Sequence, residues 1–229
     1  MAFALLKLSY KNAGDPSLVG GICGTGFFVT AQAAVTAHHA LNAQTFEPND
    51  GYSHARVWLV SRNRAVHRIE QDDVEMHPEI DATAIHFKNP ASDFAVYQPA
   101  VGDIEIDRSV TGIGHVGNAM PPVDANWKDS ELVIRTAELN DFIRDVNGFV
   151  KRPLVLDVNV NDIKMSGVRG FELSTGSQIG MSGGPVIDRG TGRVLGMMSL
   201  GLPPDSDVKT RTFAVAIGEI LKRCGGIST

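Results

Sequence analysis

The sequence predicts an all-β chain built as two closed or sandwiched β-units. Three observations carry that prediction. Short runs of β-branched and aromatic residues recur along the 229 residues, punctuated by turn formers among which Gly alone fills 24 positions. Only two patches have helical character, a turn at 39–42 and the terminal stretch 218–223. A break at 99–107, carrying Pro99, Gly102 and Asp103, divides the strand-like runs about evenly, as two units require.

Taken in order, the first half offers strand runs at 3–10, 22–30, 34–36, 55–61, 65–70, 82–87 and 94–98. Most are rich in Val, Ile, Leu, Phe, Thr or Ala, and turn residues such as Asn12, Asn63, Asp72, Asn89 and Pro99 fall between them. The second half offers 109–113, 132–136, 154–160, 171–173, 185–188, 194–199 and 212–217. Segment 140–146 fits neither period. Long connections are expected at 42–53 and at 118–130, the latter containing Met120-Pro121-Pro122. No repeat, low-complexity tract or charge block interrupts the pattern, so the chain reads as one domain with an N-terminal half over 1–100 and a C-terminal half over 101–229.

Bulk chemistry narrows the function. A net charge of −5 and a pI near 5.8 speak against a nucleic-acid or anionic-membrane partner, which would favour a basic face. The apolar fraction of 43% supports a packed core. Residues 1–8 include a short apolar stretch without a basic leader or small-residue cleavage site, and no later run is long enough to span a membrane. The expectation is a cytoplasmic protein, or a domain separated from its signal. Cys23 and Cys224 are the only cysteines. A disulfide between them is conceivable, but two isolated thiols more often read as inert. No cofactor motif is present. His77, His86 and His115 lack the spacing of a zinc site, and no metal is expected.

The chemistry concentrates in Gly180-Met181-Ser182-Gly183-Gly184-Pro185. A serine hydroxyl attacks a carbonyl only when a base takes its proton and fixed donors receive the developing oxyanion. Glycines around the serine let the backbone turn sharply and leave amide N–H groups free to serve as those donors. Gly-x-Ser-x-Gly also describes the nucleophile elbow of α/β-hydrolases, whose histidine follows the serine. Here no histidine follows His115, so a base for Ser182 has to come from upstream.

Two upstream motifs supply one. Gly24-Thr25-Gly26-Phe27 followed by Thr36-Ala37-His38-His39-Ala40 resembles the opening strands of chymotrypsin-fold serine proteases. Gly180–Val186 together with Gly196-Met197-Met198-Ser199-Leu200-Gly201 resembles that family's nucleophile loop and substrate-pairing strand. The resemblance implies two six-stranded antiparallel β-barrels, chymotrypsin-like, with a short C-terminal helix. It implies a trypsin-like peptidase domain in which Ser182 is the nucleophile and His39 the base, His38 being the alternative. Two aspartates suit the orienting acid, in Asp81-Ala82-Thr83-Ala84-Ile85 and Asp93-Phe94-Ala95-Val96-Tyr97. The distance from Asp81 to Gly112-Ile113-Gly114-His115 resembles the bacterial Deg/HtrA arrangement and favours Asp81. The amides of Gly180 and Ser182 would form the oxyanion hole. Ser199, Leu200 and Gly201 would pair with a protein or peptide substrate, and Gly176 would lie at the base of the primary specificity pocket.

The family pattern also breaks in informative places. Met181 stands where secreted relatives carry an aspartate that pairs with a freed N-terminal amine. Ala40 stands where those relatives place the cysteine that would bridge to Cys23. No acidic residue lies at 174–177, so Arg or Lys before the scissile bond is not expected, and small or medium apolar side chains are. The Deg/HtrA branch usually carries a further peptide-binding domain, leaving room for a fused domain or regulatory partner. The competing expectation is a latent or non-catalytic binding module of the same fold. Residues 119–169 resemble nothing identifiable.

Overall fold

The computed structural model describes residues 2–15, 17–61, 66–91, 93–116, 124–128, 131–135, 143–160, 163–202 and 211–224. The first half is a seven-stranded sheet formed by β1 (Ala2–Tyr10), β2 (Val19–Thr30), β3 (Ala33–Ala37), β4 (His54–Ser61), β5 (Val66–Ile69), β6 (Val74–His77) and β7 (Ala82–His86). Its order is β5-β4-β1-β2-β3-β7-β6, with every pairing antiparallel. After β8 (Ser109–His115), a separate hairpin pairs β9 (Asp124–Lys128) with β10 (Glu131–Arg135). Then follow β11 (Ile143–Val160), β12 (Ile163–Leu173), β13 (Pro185–Asp188), β14 (Val194–Leu202), β15 (Arg211–Ala216) and helix α1 (Ile217–Arg223). Strands β11-β12-β15-β14-β13-β8 close into a six-stranded barrel. The all-β, double-barrel expectation holds, with seven strands rather than six in the first unit. Among the described residues no helix is long and apolar enough to cross a membrane.

Strand alternation explains the packing. Phe3 and Leu5 of β1 enter the main core, where Phe28 meets Phe94 at 4.6 Å and Phe3 at 5.5 Å between ring centroids. Ala4, Leu6 and Leu8 point the other way into a second apolar layer with Ile22, Trp58 and Val60. Trp127 of the β9–β10 hairpin packs on that layer and anchors itself by donating Nε1–H to the Asp15 carbonyl at 2.8 Å. Burying both faces of β1 is worth roughly 1.5–3 kcal/mol per large side chain. The main core also takes in Ile80 of the first half and Ile163, Met165, Val168 and Ile217 of the second, so the two units meet across an apolar seam.

Several corrections to the sequence reading emerge. The connection expected at 118–130 carries β9 over Asp124–Lys128, and β6 at Val74–His77 is not among the expected runs. Residues 94–98 form no ladder strand; Val96 makes only an isolated bridge to Phe28, and the segment is held by the buried Phe94 ring and by Tyr97 N–H donating to Phe28 C=O at 2.8 Å. Strands β11 and β12 begin well before the 154 and 171 expected of them. The early residues of β11 are largely exposed and include the charged Arg144, Asp145, Lys151 and Arg152, which blurs the hydrophobic alternation on which a strand is recognised. Early β12 does alternate, with Ile163 and Met165 buried and Lys164 and Ser166 exposed, until Ser166-Gly167 breaks the register. The ambiguous segment 140–146 enters β11 from Ile143, its first three residues lying outside those described.

Candidate active site

His39 follows β3, a strand of small buried residues that ends in a tight turn where Ala40 and Leu41 N–H both donate to the Ala37 carbonyl at 3.1 Å. Asp81 ends a short 3-10 turn, Pro78–Ile80, in the left-handed region with φ 50° and ψ 44°. That conformation costs a non-glycine residue roughly 1–2 kcal/mol, and three hydrogen bonds hold it. His38 N–H donates to the Asp81 carbonyl at 3.1 Å, His39 N–H donates to Asp81 Oδ1 at 3.1 Å, and Ser199 Oγ–H donates to Asp81 Oδ2. The carboxylate is buried, and His39 Nδ1 lies 2.9 Å from Oδ1 and 3.0 Å from Oδ2. A carboxylate only accepts, so Nδ1 carries the proton and the neutral ring keeps its lone pair on Nε2. Asp93 is exposed in the loop after β7, and His38 sits with Nδ1 3.4 Å from Thr83 Oγ1.

The Ser182 loop is shaped by its backbone. Met181 N–H donates to the Gln178 carbonyl at 3.1 Å, and Gly180 takes φ +92°, which glycine alone adopts without strain. Gly183 has φ +85°, and a Cβ there would run into the Thr25 carbonyl, the Thr36 hydroxyl and the Ala37 backbone. The Met181 carbonyl accepts from Gly184 N–H at 3.0 Å. Because C=O and N–H of a trans peptide point in opposite directions, this turns the Ser182 N–H outward. Among the described residues neither Gly180 N–H nor Ser182 N–H donates to any acceptor, which leaves two free amides beside Ser182. Ser182 Oγ is turned toward the Ser199 carbonyl at 3.5 Å and makes no hydrogen bond to His39. Met181 is fully buried in the second barrel's core, and its Sδ accepts from Gln178 N–H at 3.4 Å. An apolar anchor thus fills the place that an aspartate–amine pair occupies in secreted relatives.

A family model for the trypsin-like peptidase domain matches residues 24–197. The chain belongs to that family. No curated protein gives a significant match. Solved structures agree on the fold: the active form of the Rv3671c protease from M. tuberculosis superposes with a TM-score of 0.59 at 15% identity, over 99% of this chain and 81% of the other. A serine endoprotease from Yersinia pestis gives 0.54 at 13% identity, over 96% of this chain and 60% of its own. The HtrA-type protease AlgW with a decapeptide gives 0.60 at 12%, over 95% and 61%. The chain is therefore a trypsin-like serine peptidase domain with the chymotrypsin fold.

In this trypsin-like domain the expected substrate-binding residues lie together along β14 and the loop after β12. Ser199 sits at a bulge, with Met198 opposite Ala214 and Leu200 opposite Phe213, so one strand position presents its carbonyl to Ser182 and its hydroxyl to Asp81. Gly201 is exposed, and a Cβ there would come within 2.9 Å of Ser177 Oγ, the residue after Gly176. Ser177 N–H donates to Thr212 Oγ1 at 2.7 Å, and the two hydroxyls lie 3.2 Å apart. Sequence reasoning missed Ser177, Thr212 and the carboxylate contact of Ser199. Nothing local marks Thr212, which reaches the loop only through the pairing of β15 with β14.

The remaining titratable groups lie apart from this chemistry. His77 and His86 both approach Glu75 at 3.1 Å, and among the described residues no cluster of three metal-ligating side chains forms. His115 is fully buried, neither of its ring nitrogens has a partner among the described residues, and burial holds its pKa down to about 4. Cys23 and Cys224 are unpaired, and burial pushes each thiol up to about 12.

Proposed function

We propose that the chain is an endopeptidase in which Ser182 Oγ attacks the substrate carbonyl as His39 Nε2 takes its proton. Asp81 holds the ring by Nδ1 and stabilises the imidazolium. The amides of Gly180 and Ser182 receive the oxyanion, each such donor being worth about 10²–10³-fold in turnover. His39 then protonates the leaving amine, and water hydrolyses the acyl-enzyme. The observation that carries this reading is the His39 Nδ1–Asp81 contact at 2.9 Å beside a loop with two unoccupied amides. Labelling with a fluorophosphonate tests it: a stable adduct on Ser182, absent from Ser182→Ala and His39→Ala, is expected. No adduct on the folded wild type would sink it. The second reading, a latent resting state awaiting a partner or fused domain, draws support from the Ser182 hydroxyl being turned to Ser199. Labelling that appears only after addition of a partner would favour it.

Substrate backbone would add as a strand along Ser199, Leu200 and Gly201. The close approach of Ser177 Oγ to Gly201 supports a shallow primary pocket above Gly176. No carboxylate lies at 174–178, which argues for small or medium apolar side chains before the scissile bond. Cleavage of a peptide library mainly after Arg or Lys would refute that preference. The two unpaired thiols suit a reducing compartment such as the cytoplasm, and cell fractionation tests it.

A further inference from the structure

The shape of the nucleophile loop is held from outside it by one side chain of the first sheet. Thr25 is fully buried in β2, and its groups meet the second barrel at three points. Its N–H donates to the Ser182 carbonyl at 2.8 Å. Its Oγ1 lies 2.8 Å from the Gly180 carbonyl and 2.8 Å from the His115 N–H. These partners allow only one proton arrangement. An amide N–H can only donate and a carbonyl can only accept, so Thr25 Oγ1 accepts from His115 and donates to Gly180. The Thr25 carbonyl accepts from Thr36 Oγ1 at 2.6 Å, which ties the residue to the strand leading to His39.

We propose that Thr25 is a positioning residue for the oxyanion loop: by holding the carbonyls of Gly180 and Ser182 it fixes the peptide plane that follows each of these residues, so that their own N–H groups stay aimed at the substrate. The inference rests on the reading of Ser182 as nucleophile. Its physical basis is that Gly180 is free to rotate, having no side chain to restrain it at φ +92°. The 178–181 turn bonds restrain the loop from within. The grip on the Gly180 carbonyl comes from a side chain 155 residues away in sequence. Thr25 touches no reacting atom. It acts through the two residues whose amides would do so, at the point where the two halves meet.

The test compares Thr25→Val, which keeps the shape and removes the hydroxyl, with Thr25→Ser, which keeps the hydroxyl. Peptide turnover is read as kcat and KM, and amide hydrogen exchange of 178–184 is followed by mass spectrometry. The valine variant is expected to lose about 10- to 100-fold in kcat, part of the cost of losing an oxyanion donor, with KM little changed. Its loop should exchange faster while Thr25→Ser stays close to wild type in both readouts. A valine variant with wild-type kcat and wild-type exchange would overturn the proposal, as would an equal loss in both variants. If Thr25→Val does not fold, Thr25→Ala against Thr25→Ser carries the same comparison, and equal kcat and exchange in those two overturns it. Fluorophosphonate labelling of the wild type is run alongside. Absence of that label sinks the nucleophile reading, and the exchange comparison still decides whether Thr25 holds the loop.

Discussion

His39 and Asp81 are held in place by backbone and side-chain donors that converge on the Asp81 carboxylate and carbonyl, whereas the loop carrying Ser182 is shaped by its glycines and backbone bonds, with the Thr25 hydroxyl gripping it from outside. In the first case an ordinary residue is forced into a left-handed conformation because several donors converge on its carboxylate and carbonyl. In the second, glycines occupy the positions where any Cβ would be strained or would collide. The acid–base half therefore depends on particular polar atoms throughout, and the nucleophile half depends on the absence of side chains at its glycines, the Thr25 grip aside. The two should fail differently: loss of atoms in the first abolishes chemistry in a folded protein, while added atoms in the second cost stability and chemistry together.

The largest effect expected is from Asp81→Asn, which keeps the shape but favours the wrong tautomer of His39. Turnover of a peptide substrate should fall on the order of 10⁴-fold, with the melting temperature little changed. A loss below tenfold would break the contrast between the halves.

Acid should act next, through the nucleophile side. His115 binds its proton only below about 4 when folded, against 6.5 for the free side chain. Between those values the unfolded chain carries the extra proton, so stability rises with pH and is lost as pH falls from 6.5 to 4. The full window is worth roughly 3 kcal/mol. Urea midpoints measured across that range should show the slope, and His115→Leu should flatten it. By contrast Glu172, gripped first by Arg211 and then by Lys151 and Arg152, is held down to about 2. Its contribution is fully present above about 4.5 and is lost progressively as pH falls from there to about 2.

Gly183→Ala tests the backbone half directly. Strain at positive φ and collision with Thr25 and Ala37 should cost roughly 1–3 kcal/mol. Turnover should drop with it, as seen by urea unfolding and by kcat on the folded fraction. An alanine variant of wild-type stability and turnover would remove the distinction drawn above. The smallest effect belongs to Asp93→Asn, whose exposed site predicts activity within about twofold of wild type. A large loss there would transfer the acid's role away from Asp81.

Much of this was readable before folding is considered, because the signals are local. Gly24-Thr25-Gly26-Phe27 and Gly180–Pro185 are runs whose backbone needs are written in consecutive residues. The histidine order that disposes of the α/β-hydrolase alternative is likewise a property of the string. The extent of the β11–β12 hairpin was not readable, since the early residues of β11 are mostly exposed and charged and the alternation of β12 is broken at Ser166-Gly167. Residues 94–98 misled in the other direction: their apolar content reflects a phenylalanine plugged into an aromatic cluster rather than a strand in a ladder.

The sequence by itself determined the β-class, the two-unit division, and the nucleophile loop with its glycines. Only the tertiary structure decided which aspartate meets His39, that Ser199 reaches Asp81 across 118 residues, and that Thr25 grips Gly180 across 155. The physical reason is range. Turn and strand preferences arise within a few residues of backbone and side chain, whereas a hydrogen bond between halves exists only once two apolar faces have docked and fixed their donors within about 3 Å of an acceptor.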